Sequence, residues 1–179
     1  KNLLKAKNLF KKNLLKPGIF LDRDGTINED YGYVHDFNKF KLKKNILKTL
    51  KYLKNKKVYF FIVTNQAGIA KKKFTLNEFN IFHTKFKNFF SKEKIYFDYV
   101  AFCPFHKDAL LLKYKKKSNY RKPGNLMIKS LIKSWPIKMS KSFMIGDQKT
   151  DQICAEKSKL YFEFVKKNTF EQFKKLTDS

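Results

Sequence analysis

Short apolar runs alternate with amphipathic stretches along this chain. The apolar runs are Gly18 to Asp22, Val58 to Val63, Tyr96 to Phe102, Ser142 to Ile145 and Leu160 to Val165. Runs of this length beside turn-forming residues predict buried β-strands. Between them, apolar positions recur at helical spacing. Asn45 is placed to cap a helix from Ile46 to about Lys54, and Thr75 a helix running to about Phe90. Phe79, Phe82, Phe86 and Phe90 fall on one face of the latter, which reads as a core stripe. Further helices are predicted from Asn125 to about Ser134, from Lys149 over a short span, and after a cap at Thr169. Strands alternating with helices imply right-handed crossovers and a mostly parallel central sheet, hence an α/β chain in three layers. Residues 25–43 interrupt the alternation as a polar and aromatic excursion with Tyr31, Tyr33 and Phe37.

Residues 1–16 carry Leu3, Leu4, Leu9, Phe10, Leu14 and Leu15 between lysines, a basic amphipathic helix or linker ended by Pro17-Gly18. It reads either as a helix for an anionic membrane or partner, or, preferred here, as one packed on the domain or trailing from an upstream module. Residues 17–179 are expected to be one domain.

The first strand ends in charge. Gly18-Ile19-Phe20-Leu21 runs into Asp22-Arg23-Asp24-Gly25-Thr26. Two aspartates at i and i+2 leave a strand on the same side. Like charges that close are costly without a cation, and Mg²⁺ takes carboxylate oxygens. An Asp- and Gly-rich turn is the plain alternative. Three further groups argue against it: Phe61-Ile62-Val63-Thr64-Asn65-Gln66, Tyr120-Arg121-Lys122-Pro123-Gly124, and Phe143 to Asp151, which contains Gly146-Asp147. Three of these four groups sit at the end of an apolar run, where an open α/β sheet binds its ligands.

This ordered set resembles that of the haloacid dehalogenase-like (HAD) phosphatases. The longer spellings Phe20 to Asn28, Gly32-Tyr33-Val34-His35, Thr64 to Ala70 and Arg121-Lys122-Pro123 are similar to the subgroup of D-glycero-D-manno-heptose 1,7-bisphosphate phosphatases and histidinol-phosphate phosphatases. The resemblance spans roughly residues 17–165. It implies a Rossmann-like HAD fold with a minimal cap, and a Mg²⁺-dependent phosphatase working through an aspartyl-phosphate. Asp22 would be nucleophile and metal ligand. Asp24 would be general acid and then base, giving the metal only its backbone carbonyl. Asp147 would be a further Mg²⁺ ligand. Asp151 would support the metal's outer shell, or else lie on a helix surface. Thr64 and Lys122 would hold the transferring phosphoryl group. Arg121 would grip a second anionic or polar part of the substrate, with Asn65 and Gln66 lining the same mouth. Asp30, Tyr31, Gly32 and Tyr33 resemble a stretch that contacts sugar hydroxyls, though the aromatics there also suit simple packing.

Composition adjusts this picture. The net charge is +26, as a nucleic-acid binder would show. The excess is scattered lysine, however, and the only arginines, Arg23 and Arg121, fall inside the motifs. A charge spread this way enriches anionic substrates without specifying a nucleic acid. No apolar stretch approaches the ~20 residues of a membrane span, and no secretory pattern is visible. Cys103 and Cys154 make no disulfide framework. A cytoplasmic monomer acting on a small phosphorylated metabolite is expected. Heptose 1,7-bisphosphate, in surface-sugar (lipopolysaccharide) biosynthesis, is the first choice and histidinol phosphate the second. A nucleic-acid 3′-phosphatase is favoured by charge but not by the motif spellings. The alternative of another class is a noncatalytic basic nucleic-acid-binding protein on the same scaffold.

One departure stands out. Relatives often carry a zinc loop, Cys-x-His and then Cys-x-Cys before Arg-Lys-Pro. Here the chain reads Cys103-Pro104-Phe105-His106 and Ser118-Asn119-Tyr120. One thiolate and one displaced His do not make the four-ligand set of structural zinc, so no zinc is expected. The loop is expected to be held by packing of Leu110, Leu111, Leu112, Tyr114 and Tyr120. Cys154 reads as a core residue, His35 as structural, and His83 as a half-buried surface histidine.

Overall fold

The computed structural model describes residues 14–178; the amphipathic segment, all but its last three residues, lies outside the described residues. Five strands form one sheet: β1 (Gly18–Leu21), β2 (Tyr59–Asn65), β3 (Tyr99–Cys103), β4 (Phe143–Gly146) and β5 (Tyr161–Phe164). Their order is β3-β2-β1-β4-β5 and every pairing is parallel. Among the described residues six helices accompany them: α1 (Ile46–Leu53), α2 (Ala67–Ala70), α3 (Leu76–Ser91), α4 (Leu126–Ser134), α5 (Lys149–Lys157) and, after the last strand, α6 (Thr169–Asp178).

Alternation along β1 divides the core. Ile19 and Leu21 face one side with Phe60, Ile62, Phe143 and Ile145, where α1, α3 and α6 bring Leu50, Phe82, Phe86, Phe90 and Phe173. Phe20 faces the other side with Phe61, Val63 and Met144, against Met127, Ile128 and Leu131 of α4 and Cys154 of α5. Both faces of the sheet are thus covered, which is why its strands read as apolar runs.

The phenylalanine stripe of α3 is buried throughout. Its N-terminus carries a full capping box: Thr75 Oγ1 accepts from Glu78 N at 3.1 Å, and Glu78 Oε2 accepts from Thr75 N at 2.6 Å. Two predicted caps are corrected. Asn45 precedes α1 with φ 67° and its side chain makes no cap bond. Thr169 is the first residue of α6, and Asn168 Oδ1 accepts from Glu171 N. The Thr169 hydroxyl instead meets Thr49 Oγ1 of α1 at 3.1 Å, joining the two helices. β3 begins three residues later than predicted, because Asp98 Oδ2 accepts the Phe60 N–H at 2.7 Å in place of a strand carbonyl. The short α2 has no counterpart among the predicted elements.

Residues 25–43 form no domain. They fold back as a loop with one 3₁₀ turn, Phe37–Lys39, pinned where Asn28 pairs with Leu42. Phe40 packs edge-on against Phe82, Phe86 and Phe89 of α3. The sheet's C-terminal end is left open. At the flank, β3 forms an edge whose five residues, Tyr99-Val100-Ala101-Phe102-Cys103, carry no charge.

Candidate active site

β1, β2 and β4 all deliver polar side chains to the C-terminal end of the sheet. Asp22 follows β1 directly and its N–H bonds the Ile145 carbonyl at 3.0 Å. Gly25, at φ +82°, then turns the chain, and a Cβ there would collide with the Asp147 carboxylate. Gly146 makes the same kind of room for Asp151.

Asp22, Asp147 and Asp151 converge, with one oxygen of each within 4.8 Å of the others. Asp151 is buried, which corrects the helix-surface alternative. It occupies the third position of α5, where its Oδ2 accepts from the Asp147 and Gln148 N–H groups at 3.2 and 3.0 Å. Asp147 is half-buried, with Oδ2 held by Gln148 Nε2 at 2.7 Å and Oδ1 buried without a partner. Three carboxylates, one with an unsatisfied buried oxygen, are a donor set that fits a hard divalent cation.

Lys122 enters from the loop before α4 and is itself buried. Its Nζ lies 2.6 Å from Asp22 Oδ1, 2.6 Å from Asp151 Oδ1 and 2.8 Å from the Val63 carbonyl. Burial works against its charge, but the Asp22 and Asp151 carboxylates outweigh it and hold the ammonium protonated above the usual lysine range. Burial pushes the Asp22 carboxyl up; Lys122 pulls it down, and the neighbouring Asp151 and Asp24 carboxylates add to the upward push. One ammonium thus faces more negative charge than it neutralises, which again leaves room for a cation. The Lys122 backbone is clamped by Asn65, whose Oδ1 accepts from Lys122 N at 3.0 Å and whose Nδ2 donates to Lys122 O at 3.1 Å.

Asp24 stands outside the triad. Its oxygens accept from Arg23 Nε at 3.0 Å, Arg23 Nη2 at 2.8 Å, Asn28 Nδ2 at 2.9 Å and Gln66 Nε2 at 3.0 Å. The same Gln66 nitrogen donates to Thr64 Oγ1 at 2.9 Å. Asn65 and Gln66 therefore line the mouth, but their amides are spent on bracing Lys122, Asp24 and Thr64.

These groups border a cavity of about 450 Å³. Asp30, Gly32, Tyr33 and Arg121 form its outer wall, and one Arg121 nitrogen, Nη1, is buried without a partner. Tyr31 is a correction: it lies off the cavity, 56% exposed, its hydroxyl donating to the Lys39 carbonyl at 2.7 Å. Gly68 lines the cavity too, in the expected stretch after Thr64, while Lys71 and Thr150 also line it and were not anticipated. Lys71 follows α2, and one lysine among so many gives no sequence signal. A larger hollow of about 600 Å³ lies at the opposite end of the sheet, with Glu163 the one acidic residue among the described residues lining it.

The loop after β3 is stapled as predicted only at Tyr114, which packs against the Ile69, Phe74 and Phe79 cluster and beside Phe105. Leu110 and Leu112 are exposed, the latter at 84%, and the Tyr120 hydroxyl meets Ser130 Oγ. Further order comes from the Ala70 carbonyl, which accepts the N–H groups of Leu110 and Leu111, and from Lys116 Nζ, 4.0 Å over the Phe105 ring. Cys103 and Cys154 are buried free thiols that burial pushes up, Cys154 to about 11. His35 stacks on Phe74 at 4.8 Å. His83 is corrected from a surface to a core histidine: it is buried beside Phe79, and burial pulls its imidazole down to about 3.

A parallel five-stranded sheet bearing an acidic triad and a buried lysine at its carboxyl end defines a phosphohydrolase of the HAD superfamily. Comparison with known proteins agrees. Residues 19–176 match the family model of polynucleotide kinase 3 phosphatase, and the chain belongs to that family. It is 35% identical over 136 residues to a D-glycero-beta-D-manno-heptose-1,7-bisphosphate 7-phosphatase of Rhodopseudomonas palustris, covering 76% of each chain. The enzyme of that description from Vibrio cholerae is 36% identical over 144 residues, covering 80% of this chain and 77% of its own. Among solved structures, a HAD-like phosphatase of Mesorhizobium loti superposes with a TM-score of 0.76 at 27% identity, over 82% of this chain and 70% of that one. The D,D-heptose 1,7-bisphosphate phosphatase of B. bronchiseptica, complexed with magnesium and phosphate, gives 0.73 at 22% identity, over 82% and 78%. The protein is therefore a phosphatase, and the noncatalytic reading is set aside. Among the described residues no helix is long and apolar enough to cross a membrane.

Proposed function

We propose that this protein is a Mg²⁺-dependent phosphomonoesterase that removes the 7-phosphate of D-glycero-D-manno-heptose 1,7-bisphosphate, serving surface-sugar (lipopolysaccharide) biosynthesis, through an aspartyl-phosphate on Asp22. The observation that carries the chemistry is the convergence of Asp22, Asp147 and Asp151 around buried Lys122. The substrate rests on the activity of relatives near 35% identity. Two buried free thiols fit a reducing compartment, and we assign the activity to the cytoplasm.

Asp22, Asp147, Asp151 and the Asp24 backbone carbonyl would hold the metal, which supplies positive charge to the phosphoryl oxygens and to Asp22. Asp22 attacks phosphorus as the ester P–O bond breaks, and Asp24 gives its proton to the leaving sugar oxygen. Asp24 then takes a proton from water as that water attacks the aspartyl-phosphate, releasing inorganic phosphate and restoring Asp22. Thr64 and Lys122 hold the phosphoryl oxygens throughout, since phosphoryl transfer depends chiefly on positioning and charge. The unpartnered Arg121 nitrogen and nearby Lys71 suit a second anionic group on the substrate.

A nucleic-acid 3′-phosphatase is the second reading, favoured by the family model and the charge. Phosphate release with Mg²⁺ from heptose 1,7-bisphosphate, histidinol phosphate and a 3′-phosphorylated oligonucleotide separates them, with Asp22→Asn alongside. Fast turnover of the heptose ester, abolished by the substitution, is expected. Preference for either other ester would replace the substrate assignment, and activity surviving Asp22→Asn would refute the mechanism.

A further inference from the structure

Arg23 lies between the two aspartates and is wholly buried at 0% exposure. A buried guanidinium is costly unless its charge and its donors are used. Here Nε and Nη2 are spent on the neighbouring carboxylate, Nε to Asp24 Oδ1 and Nη2 to Asp24 Oδ2, while Nη1 is buried without a partner. Side chains adjacent in sequence leave a strand on opposite faces. The turn after β1 brings these two together, with the Arg23 carbonyl accepting from Thr26, Ile27 and Asn28 N–H groups.

Arg23 is also fixed from behind. Nη2 donates to the Val34 carbonyl at 2.7 Å, and the guanidinium carbon sits 4.6 Å over the Phe82 ring and 6.0 Å from Phe79. Val34 directly follows the mouth residues Gly32 and Tyr33. One side chain thus connects β1, α3, the substrate-facing turn and Asp24. A lysine has the charge but not the planar fork, and this chain uses lysine at nearly every other cationic position.

We propose that Arg23 is a positioning residue, fixing the Asp24 carboxylate for proton transfer and keeping it in register with the substrate-facing turn through Val34. The inference rests on the reading of Asp24 as acid and base. An acid matters most when the leaving oxygen must be protonated, so dependence on the leaving group is the signature, and a merely structural role would not produce it.

The test is leaving-group release in a single turnover with Mg²⁺, comparing heptose 1,7-bisphosphate with p-nitrophenyl phosphate, whose anion departs without a proton. Arg23→Lys, Arg23→Met and Asp24→Asn are each followed together with their thermal midpoints. Arg23→Lys, which keeps the charge, carries the test where Arg23→Met fails to fold. The expected result is a loss of about 10²-fold on the sugar ester and less than about tenfold on the nitrophenyl ester, in the range for general acid catalysis. Asp24→Asn should show the same asymmetry. Equal losses on both esters in folded Arg23 variants, with Asp24→Asn still discriminating, overturn the inference and leave the role of Asp24 intact. Equal losses in Asp24→Asn overturn both.

Discussion

Replacing Lys122 by Met tests the electrostatic heart of the site. The ammonium sits 2.6 Å from two carboxylate oxygens, and all three side chains are nine-tenths or more buried. At an effective dielectric of ~20, each contact is worth about 6 kcal/mol of attraction before desolvation is counted. Desolvation offsets most of that while the cluster is intact. Removing only the cation leaves Asp22 and Asp151 facing one another uncompensated, a change that costs about 3–5 kcal/mol. For a chain of this size that is a fall of about 6–20 °C in melting midpoint. Calorimetry at pH 7 without divalent metal, with and without the substitution, measures it. One control follows from the same reasoning. Added Mg²⁺ should recover part of the loss, because a second cation enters the carboxylates. A Lys122→Met protein as stable as the parent at pH 7 without metal would refute the account. So would a loss that ignores Mg²⁺. Turnover should fall at least about 10²-fold in the same variant, as for other lost phosphoryl- or oxyanion-stabilising donors.

The His83 imidazole is pulled to about 3 by burial, from an ordinary 6.5. The unfolded chain therefore binds the extra proton between those values, so the stability from this site is fully present above pH 6.5 and is lost as pH falls towards 3. Urea titrations at pH 5 and 7 should show His83→Leu flattening this slope, by up to about 1.4 kcal/mol per pH unit; an unchanged slope would disprove the buried neutral state. A methyl on Gly146 would strike the Asp151 side chain. Gly146→Ala should destabilise by about 1–3 kcal/mol and depress turnover beyond that, read from kcat on protein verified as folded. Asp147→Asn should weaken Mg²⁺ binding, measured by isothermal calorimetry, by more than about tenfold; equal affinity would remove Asp147 from the metal's ligands.

The frame of this molecule was legible because β1, β2 and β4 are buried on both faces and β1 and β4 end where charge begins. Phe20-Leu21-Asp22 and Ile145-Gly146-Asp147 announce both a strand and the edge of a site. The stripe of α3 was equally plain, since four phenylalanines at helical spacing have one face to bury. Partnerships across the chain were not legible. Asn65 and Gln66 looked like mouth residues, yet their amides close on Lys122, Asp24 and Thr64, geometry fixed only when β2 meets β1 and the loop before α4. Tyr31 followed the motif spelling but turned to the Lys39 carbonyl, because alternation in a loop is not set by a pleat. Thr169 and Asn168 are both good caps, and the choice fell to Asn168 once the threonine hydroxyl was claimed by Thr49. Burial of His83 depends on Arg23 arriving beside α3 from the turn after β1, which no local pattern contains.

The uncharged outer strand β3 has a colloidal consequence. Sheet edges in soluble proteins are ordinarily guarded by a lysine, a proline or a bulge on the strand itself, and Tyr99 to Cys103 has neither a lysine nor a proline. The guard here is the whole surface, since two copies each carrying +26 repel before their edges come within hydrogen-bonding range. That repulsion reaches about 30 Å at 0.01 M salt but only about 3 Å at 1 M. Concentrated salt, polyanions or acetylation of the lysines would strip it away. Whoever purifies this protein should expect its solubility limit to be set by ionic strength before it is set by temperature.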